Sequence, residues 1–148
     1  MRCLVVDDCR ELADLWRLEL EELGFVADAA HGAEAAFSLM LTERYHLVVT
    51  DLGLPDGSGL TVAQSAAIRA PEAAVVIVTA NADYPNGELF ALSSNIAGVF
   101  RKKTDMSELF AFVAHLREKL AHPAPAPAPP EIDAAEEEAF ARLWRRTG

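Results

Sequence analysis

Short apolar runs alternate with stretches of helical periodicity through residues 1–120, and that alternation restricts the fold more than any other feature of the chain. Neighbouring parallel strands need a long crossover, and a helix supplies it, so strand–helix repeats predict a parallel sheet. Right-handed crossovers then put helices on both faces, giving a doubly wound α/β sandwich. The predicted strands are Cys3–Val6, Phe25–Ala29, Leu47–Thr50, Ala74–Thr79 and Val99–Arg101. Leu12, Leu15, Trp16, Leu20 and Leu23 recur at helical spacing, and Gly24 stops this first helix, Arg10–Leu23. Ala33–Thr42, after Gly32, and Leu60–Arg69, before Pro71, read as the second and third helices. A short fourth is expected over Glu88–Ser94, delayed by Pro85 and Gly87. In the last helix Asp105 and Glu108 predict a capping box ahead of the stripe Leu109, Phe112, Val113, Leu116 and Leu120.

Open α/β sheets gather their ligand chemistry at the carboxyl ends of the strands. Leu47–Thr50 delivers Asp51 to such an end, and Pro55, Asp56, Gly57, Ser58 and Gly59 turn the chain at once. The first strand ends in Asp7-Asp8, the fourth in Thr79-Ala80 and the last in Lys102-Lys103. An acidic pair, an Asp, a Thr and a Lys in that order, together with the block DLGLPDGSGL, resemble the receiver domain of two-component response regulators. The resemblance covers residues 1 to 120 and implies a flavodoxin-like sheet of order 2-1-3-4-5. It also implies that Asp51 accepts a phosphoryl group from a phosphohistidine on a sensor histidine kinase or histidine phosphotransfer protein. Transfer and hydrolysis would be self-catalysed, so the chain would be a phosphoacceptor and not an enzyme with a separate substrate.

Three carboxylates meeting at the strand ends repel, at about 4 kcal/mol for a pair about 4 Å apart in an effective dielectric of about 20. A cation makes the arrangement tolerable. An all-oxygen set suits Mg²⁺ (or Mn²⁺) better than zinc, and no Cys or His falls at a metal-ligand spacing. By resemblance, Asp8 and Asp51 ligate directly, Asp7 acts through water and the Gly53 carbonyl adds a further oxygen. Thr79 and Lys102 would stabilise the phosphoryl oxygens. Gly53 and Asn81 would tune dephosphorylation, with Gly53 offering no shield against water. Counting back from Glu108-Leu109 puts the family lysine on Lys102, replaces its usual proline by Lys103 and leaves Val99, not an aromatic residue, as the switch partner of Thr79. The Lys102–Lys103 bond is then expected to be trans, since a cis bond before a non-proline costs about 2.5–4 kcal/mol. If Lys103 were the site lysine instead, Phe100 would take the switch position.

Two other functions compete. A pseudo-receiver would work as an interaction module without phosphorylation, a reading the missing proline and Val99 keep open. A haloacid dehalogenase-type phosphatase needs a second Asp two residues after its nucleophile, where this chain has Gly53.

Thirteen basic against twenty-three acidic side chains give a net charge of −10 over 148 residues. That balance argues against direct nucleic-acid or anionic-membrane binding, which depend on clustered Lys and Arg. No apolar run reaches the roughly 20 residues of a spanning helix. The first strand begins too early for a signal peptide, so a cytoplasmic location is expected. Cys3 and Cys9 are expected as free thiols.

Residues 121–130 read as an Ala/Pro linker, expected to act as a spacer of about 3.1 Å per residue. Residues 131–148 predict a short amphipathic helix, with Ile132, Ala135, Ala139, Phe140 and Leu143 on one stripe and Trp144 beside it. The last 28 residues are too few for a DNA-binding module, which predicts a single-domain regulator acting by protein contact or phosphorelay. A downstream protein target is expected, and a homodimer through the fourth and fifth elements or through the tail helix is compatible with it.

Overall fold

Five apolar segments pair in parallel to form one sheet: β1 (Arg2–Val6), β2 (Val26–Ala30), β3 (Leu47–Asp51), β4 (Ala74–Thr79) and β5 (Ile96–Arg101), in the order β2-β1-β3-β4-β5. The computed structural model describes residues 1–80, 92–103 and 105–121. Cys3–Val6, Leu47–Asp51 and Val75–Thr79 are buried throughout, as strands covered on both faces should be. Helices α1 (Arg10–Glu22), α2 (Ala33–Thr42), α3 (Gly59–Arg69) and α4 (Ser107–Ala121) supply the cover.

Strand alternation divides the core in two. Leu4, Val6, Val48 and Ile77 face α2 and α3, whose Ala36, Val62, Ala63 and Ala66 are small enough to lie close to the sheet. Cys3, Val5, Val49 and Val76 face Trp16 and Leu20 of α1 and Leu109 and Val113 of α4. Full burial of each such large side chain stabilises the fold by about 1.5–3 kcal/mol. Gly24 ends α1 with φ +98°, a left-handed conformation that glycine adopts without strain.

The observed order is the expected 2-1-3-4-5, with local differences. β2 lies one residue later than predicted, and Phe25 is a buried core residue ahead of it. β5 starts at Ile96 rather than Val99, because a bulge carries Gly98 into the ladder. The register steps from Val75 opposite Ile96 to Val76 opposite Gly98, so Ala97 is the extra residue. The capping at α4 also differs: Asp105 accepts the Ser107 N–H at 2.9 Å and the Ser107 hydroxyl, so its partner is Ser107 rather than Glu108. Both cysteines are free, Cys3 buried and Cys9 exposed, and burial pushes the Cys3 thiol pKa up. No helix among the described residues is long and apolar enough to cross a membrane. Asn81, residues 88–91 of the predicted fourth helix, and all of the linker and tail from residue 122 lie outside the described residues.

Gly59, the first residue of α3, sits directly against the end of β3. A Cβ there would lie 2.3 Å from the Asp51 carbonyl oxygen and 3.0 Å from the Leu52 Cα, both backbone atoms that cannot swing aside. Gly59→Ala should therefore destabilise the domain by about 1–3 kcal/mol, the usual cost of overpacking. Urea unfolding would read this as a lower midpoint at unchanged slope.

Candidate functional site

β1 and β3 are neighbours, so their ends bring Asp7, Asp8 and Asp51 together. One carboxylate oxygen from each lies within 4.8 Å of the others. Asp7 is fully buried, Asp51 nearly so, and Asp8 is exposed. The Lys102 ammonium enters between the two buried carboxylates, 2.8 Å from Asp7 Oδ2 and 2.9 Å from Asp51 Oδ2. The second contact is a hydrogen bond, and the first is an ion pair with the fully buried Asp7 carboxylate. Asp7 Oδ1 accepts the Cys9 N–H at 2.9 Å, and Asp51 Oδ1 accepts the Gly53 N–H at 3.3 Å.

This oxygen set fits a hard divalent cation. It offers carboxylate oxygens from two strand ends within 4.8 Å of one another, and an exposed edge at Asp8 where water can complete the coordination. Neither Cys nor His belongs to it.

The two lysines have different surroundings. Lys103 is exposed, while the Lys102 side chain is 22% exposed and points at the acids. Lys102 N–H donates to the Thr79 carbonyl at 2.9 Å, which ties the end of β5 to that of β4. The peptide between Lys102 and Lys103 is trans. Thr79 is buried, and a cavity of about 320 Å³ opens beside it, lined by Asp51, Leu52, Gly53, Ser58, Leu60 and Ala80. Val99 pairs with Ile77 and packs on the α2–α3 side of the sheet. Phe100 turns the other way and packs on Phe112 of α4, ring centroids 5.2 Å apart. With Lys103 in solvent and Phe100 on the opposite face, the Lys103–Phe100 register does not assemble at the site.

Three residues near the site make contacts that the sequence pattern did not assign: Asp56 and Ser58 were read only as turn residues, and His31 was not read at all. After Asp51 the chain forms a small antiparallel ladder, Gly53–Leu54 with Gly57–Ser58. Ser58 caps α3 by accepting the Leu60 N–H at 3.1 Å. Asp56, at the ladder's turn, accepts the N–H groups of Ala33 at 2.8 Å and Glu34 at 3.1 Å, and those bonds hold its carboxyl below the usual carboxylate range. The His31 ring Nδ1 lies 3.2 Å from the Asp7 carbonyl oxygen; a carbonyl can only accept, so this nitrogen carries the proton. Only Gly32, a helix start without a capping side chain, hinted that a cap must come from elsewhere.

A doubly wound parallel sheet with a carboxylate trio, a lysine and a buried threonine at its strand ends defines a receiver-type α/β domain. The chain belongs to the response regulator receiver domain family of two-component systems, which matches residues 3–114. Response regulator protein PilR of Pseudomonas aeruginosa is 30% identical over 127 residues, covering 84% of this chain and 28% of PilR. Transcriptional regulatory protein TctD of Salmonella typhimurium is 36% identical over 80 residues, 54% of this chain and 36% of TctD. The chain thus spans about a third or less of the length of these relatives. Among solved structures, response regulator protein TrrA from Thermotoga maritima, in complex with Mg²⁺-BeF, has a TM-score of 0.67 at 30% identity and covers 78% of this chain and 97% of TrrA. A CheY-like receiver domain from Methanospirillum hungatei has a TM-score of 0.72 over 83% of this chain and 98% of its own, and its 22% identity makes this a likeness of fold.

Burial by itself lowers the Lys102 pKa, but the flanking Asp7 and Asp51 carboxylates outweigh it and raise the pKa above the ordinary lysine value. A raised folded-state value gives stability that is complete below the unfolded pKa of about 10.4 and lost as pH rises through the folded one. The stability difference between wild type and Lys102→Met, from urea titrations at about pH 8 and about pH 11, should shrink at the higher pH.

Proposed function

We propose that the domain is a phosphoacceptor in which Asp51 takes a phosphoryl group from a phosphohistidine. The observation that carries this reading is the Lys102 ammonium between Asp7 and Asp51, beside a cavity that opens onto Asp51 and Thr79. The Asp51 carboxylate attacks phosphorus, a P–O bond forms, the P–N bond of the donor breaks and the imidazole leaves with the electron pair. Asp51 needs no general base, because the ionised carboxylate is itself the nucleophile. Lys102 and the Thr79 hydroxyl each take one phosphoryl oxygen. Asp8, Asp51 and the Gly53 carbonyl would hold Mg²⁺ (or Mn²⁺) directly, with Asp7 acting through water. Bound there, the cation would neutralise the acids and supply Lewis-acid stabilisation of the phosphoryl oxygens. Water later attacks the same phosphorus and restores the carboxylate, a self-catalysed hydrolysis.

Sensor histidine kinases or histidine phosphotransfer proteins are the donors on this reading, and output passes to a protein target or onward in a phosphorelay. Residues 1–120 act as the receiver, 121–130 as spacer and 131–148 as a recognition segment or self-association element. Val99 at the switch position favours a second reading, an interaction module that works without phosphate.

Incubation with a small phosphodonor and Mg²⁺ followed by intact mass separates the two. Wild type should gain one phosphoryl group and Asp51→Asn none; an unlabelled wild type would establish the second reading. Turnover of small phosphomonoesters would point instead to a phosphatase.

Gly53 and Asn81 are proposed to govern the lifetime of the phospho-form. A Cβ on Gly53 meets nothing within 4 Å, so a larger side chain can stand at the mouth of the cavity without disturbing the fold. Gly53→Arg should therefore slow phosphate loss, which a phosphate-release assay would follow; an unaltered rate would mean that water does not arrive past residue 53.

A further inference from the structure

The β2–α2 connection touches the main chain of Asp7 at the end of β1 and, at the start of α2, the turn that follows Asp51. On the β1 side, the Asp7 N–H donates to the Ala30 carbonyl at 3.1 Å, and the His31 Nδ1–H reaches the Asp7 carbonyl at 3.2 Å. On the β3 side, Ala33 and Glu34 donate their N–H groups to Asp56. The fit between the last two segments is close. A Cβ on Gly32 would lie 2.8 Å from Asp56 Oδ1, and one on Gly57 would lie 3.0 Å from the Ala33 Cβ. Gly32 has φ −172° and ψ 173°, an extended conformation open to any residue, so the space beside it is what asks for glycine there.

Asp56 stands 23 residues from Ala33, so this is a tertiary contact and not a local capping preference. It ties down the turn of the ladder whose other end is Gly53 opposite Ser58. Gly53 donates to the Asp51 carboxylate, and Ser58 caps α3. Strand pairing sets Asp51 itself, and the segment after it, with Gly53, is tied through Asp56 to the connection that also touches Asp7.

We propose that Asp56 is a positioning residue for the metal-binding carboxylates, holding the segment after Asp51 at a set distance from the Asp7–Asp8 pair through its cap on α2. The proposal rests on the metal-site reading above, and Asp56 itself supplies no ligand. Groups that orient ligands without touching the metal typically govern 10–100-fold in affinity.

The test is Mg²⁺ affinity by calorimetry on the full chain, for wild type, Asp56→Ala, Asp56→Asn and Gly32→Ala, at a temperature where thermal melts show each fully folded. Asp56→Ala should weaken Mg²⁺ binding by roughly tenfold or more. Gly32→Ala should act in the same direction, because its methyl group displaces the carboxylate without removing it. Asp56→Asn keeps one carbonyl acceptor and should fall between wild type and Asp56→Ala. Wild-type affinity in Gly32→Ala and in Asp56→Ala, with only the melting temperature lowered, would overturn the proposal and leave Asp56 a helix cap. If Asp56→Ala does not fold, Gly32→Ala and Asp56→Asn decide by the same criterion. A wild type that binds no Mg²⁺ overturns the metal-site reading and the proposal with it, whereas binding by wild type that the variants retain overturns the proposal alone.

Discussion

Like-charge repulsion between strand ends is the constraint on which this structure turns. Neighbouring strands lie about 4.8 Å apart, so carboxylates at the ends of β1 and β3 cannot avoid one another. The sheet order that buries the core therefore also creates the charge problem. Lys102 offsets it from a distance, since β5 is separated from β3 by β4. Its main chain is tied to Thr79 on the intervening strand, and its side chain extends past that strand to the acids. Thr79 is thus beside the ion pair for a topological reason: it ends the strand that the lysine must cross. One ammonium 2.8 Å from Asp7 Oδ2 and 2.9 Å from Asp51 Oδ2 thus offsets the charge of both strand ends at once.

The two glycines on either side of the turn after Asp51 perform opposite tasks. Gly59 is a close-approach residue, with the backbone of Asp51 and Leu52 in the space where a side chain would start. Gly53 has open space around it. The main chain around Asp51 is consequently closely packed, while a cavity opens beside its side chain. Firmness and access are separable here because they are set by different residues, one at the helix start and one at the root of the ladder.

Much of this was legible in the sequence because each strand ends where its apolar run ends, and residues at adjacent strand ends meet whatever fills the loops. Asp7, Asp8, Asp51 and Lys102 could be assembled on that rule, and the sheet order followed the receiver resemblance. What could not be read has a common cause in contacts between segments far apart in the chain. Asp56 looked like a turn residue because its partners, Ala33 and Glu34, belong to another helix. β5 was cut short because Gly98 breaks the apolar run, and the reason for that glycine is the Phe112 ring, 2.8 Å from where its Cβ would be. Asp105 and Glu108 have capping-box spacing, yet the carboxylate turned to the nearer Ser107.

The choice between Val99 and Phe100 shows how one residue of register decides chemistry. A strand shifted by one position sends every side chain to the opposite face. Without the bulge at Ala97, Ile96 and Phe100 would share a face; with it, Ile96 and Val99 do. The bulge thus assigns the smaller side chain to the α2–α3 side, the side on which alternation also puts Thr79, two residues beyond Ile77. It sends the aromatic ring to α4, into the notch left by Gly98. The bulky contact closest in sequence to Lys102 therefore lies with Phe112, while the face that holds the cavity beside Thr79 keeps only a valine.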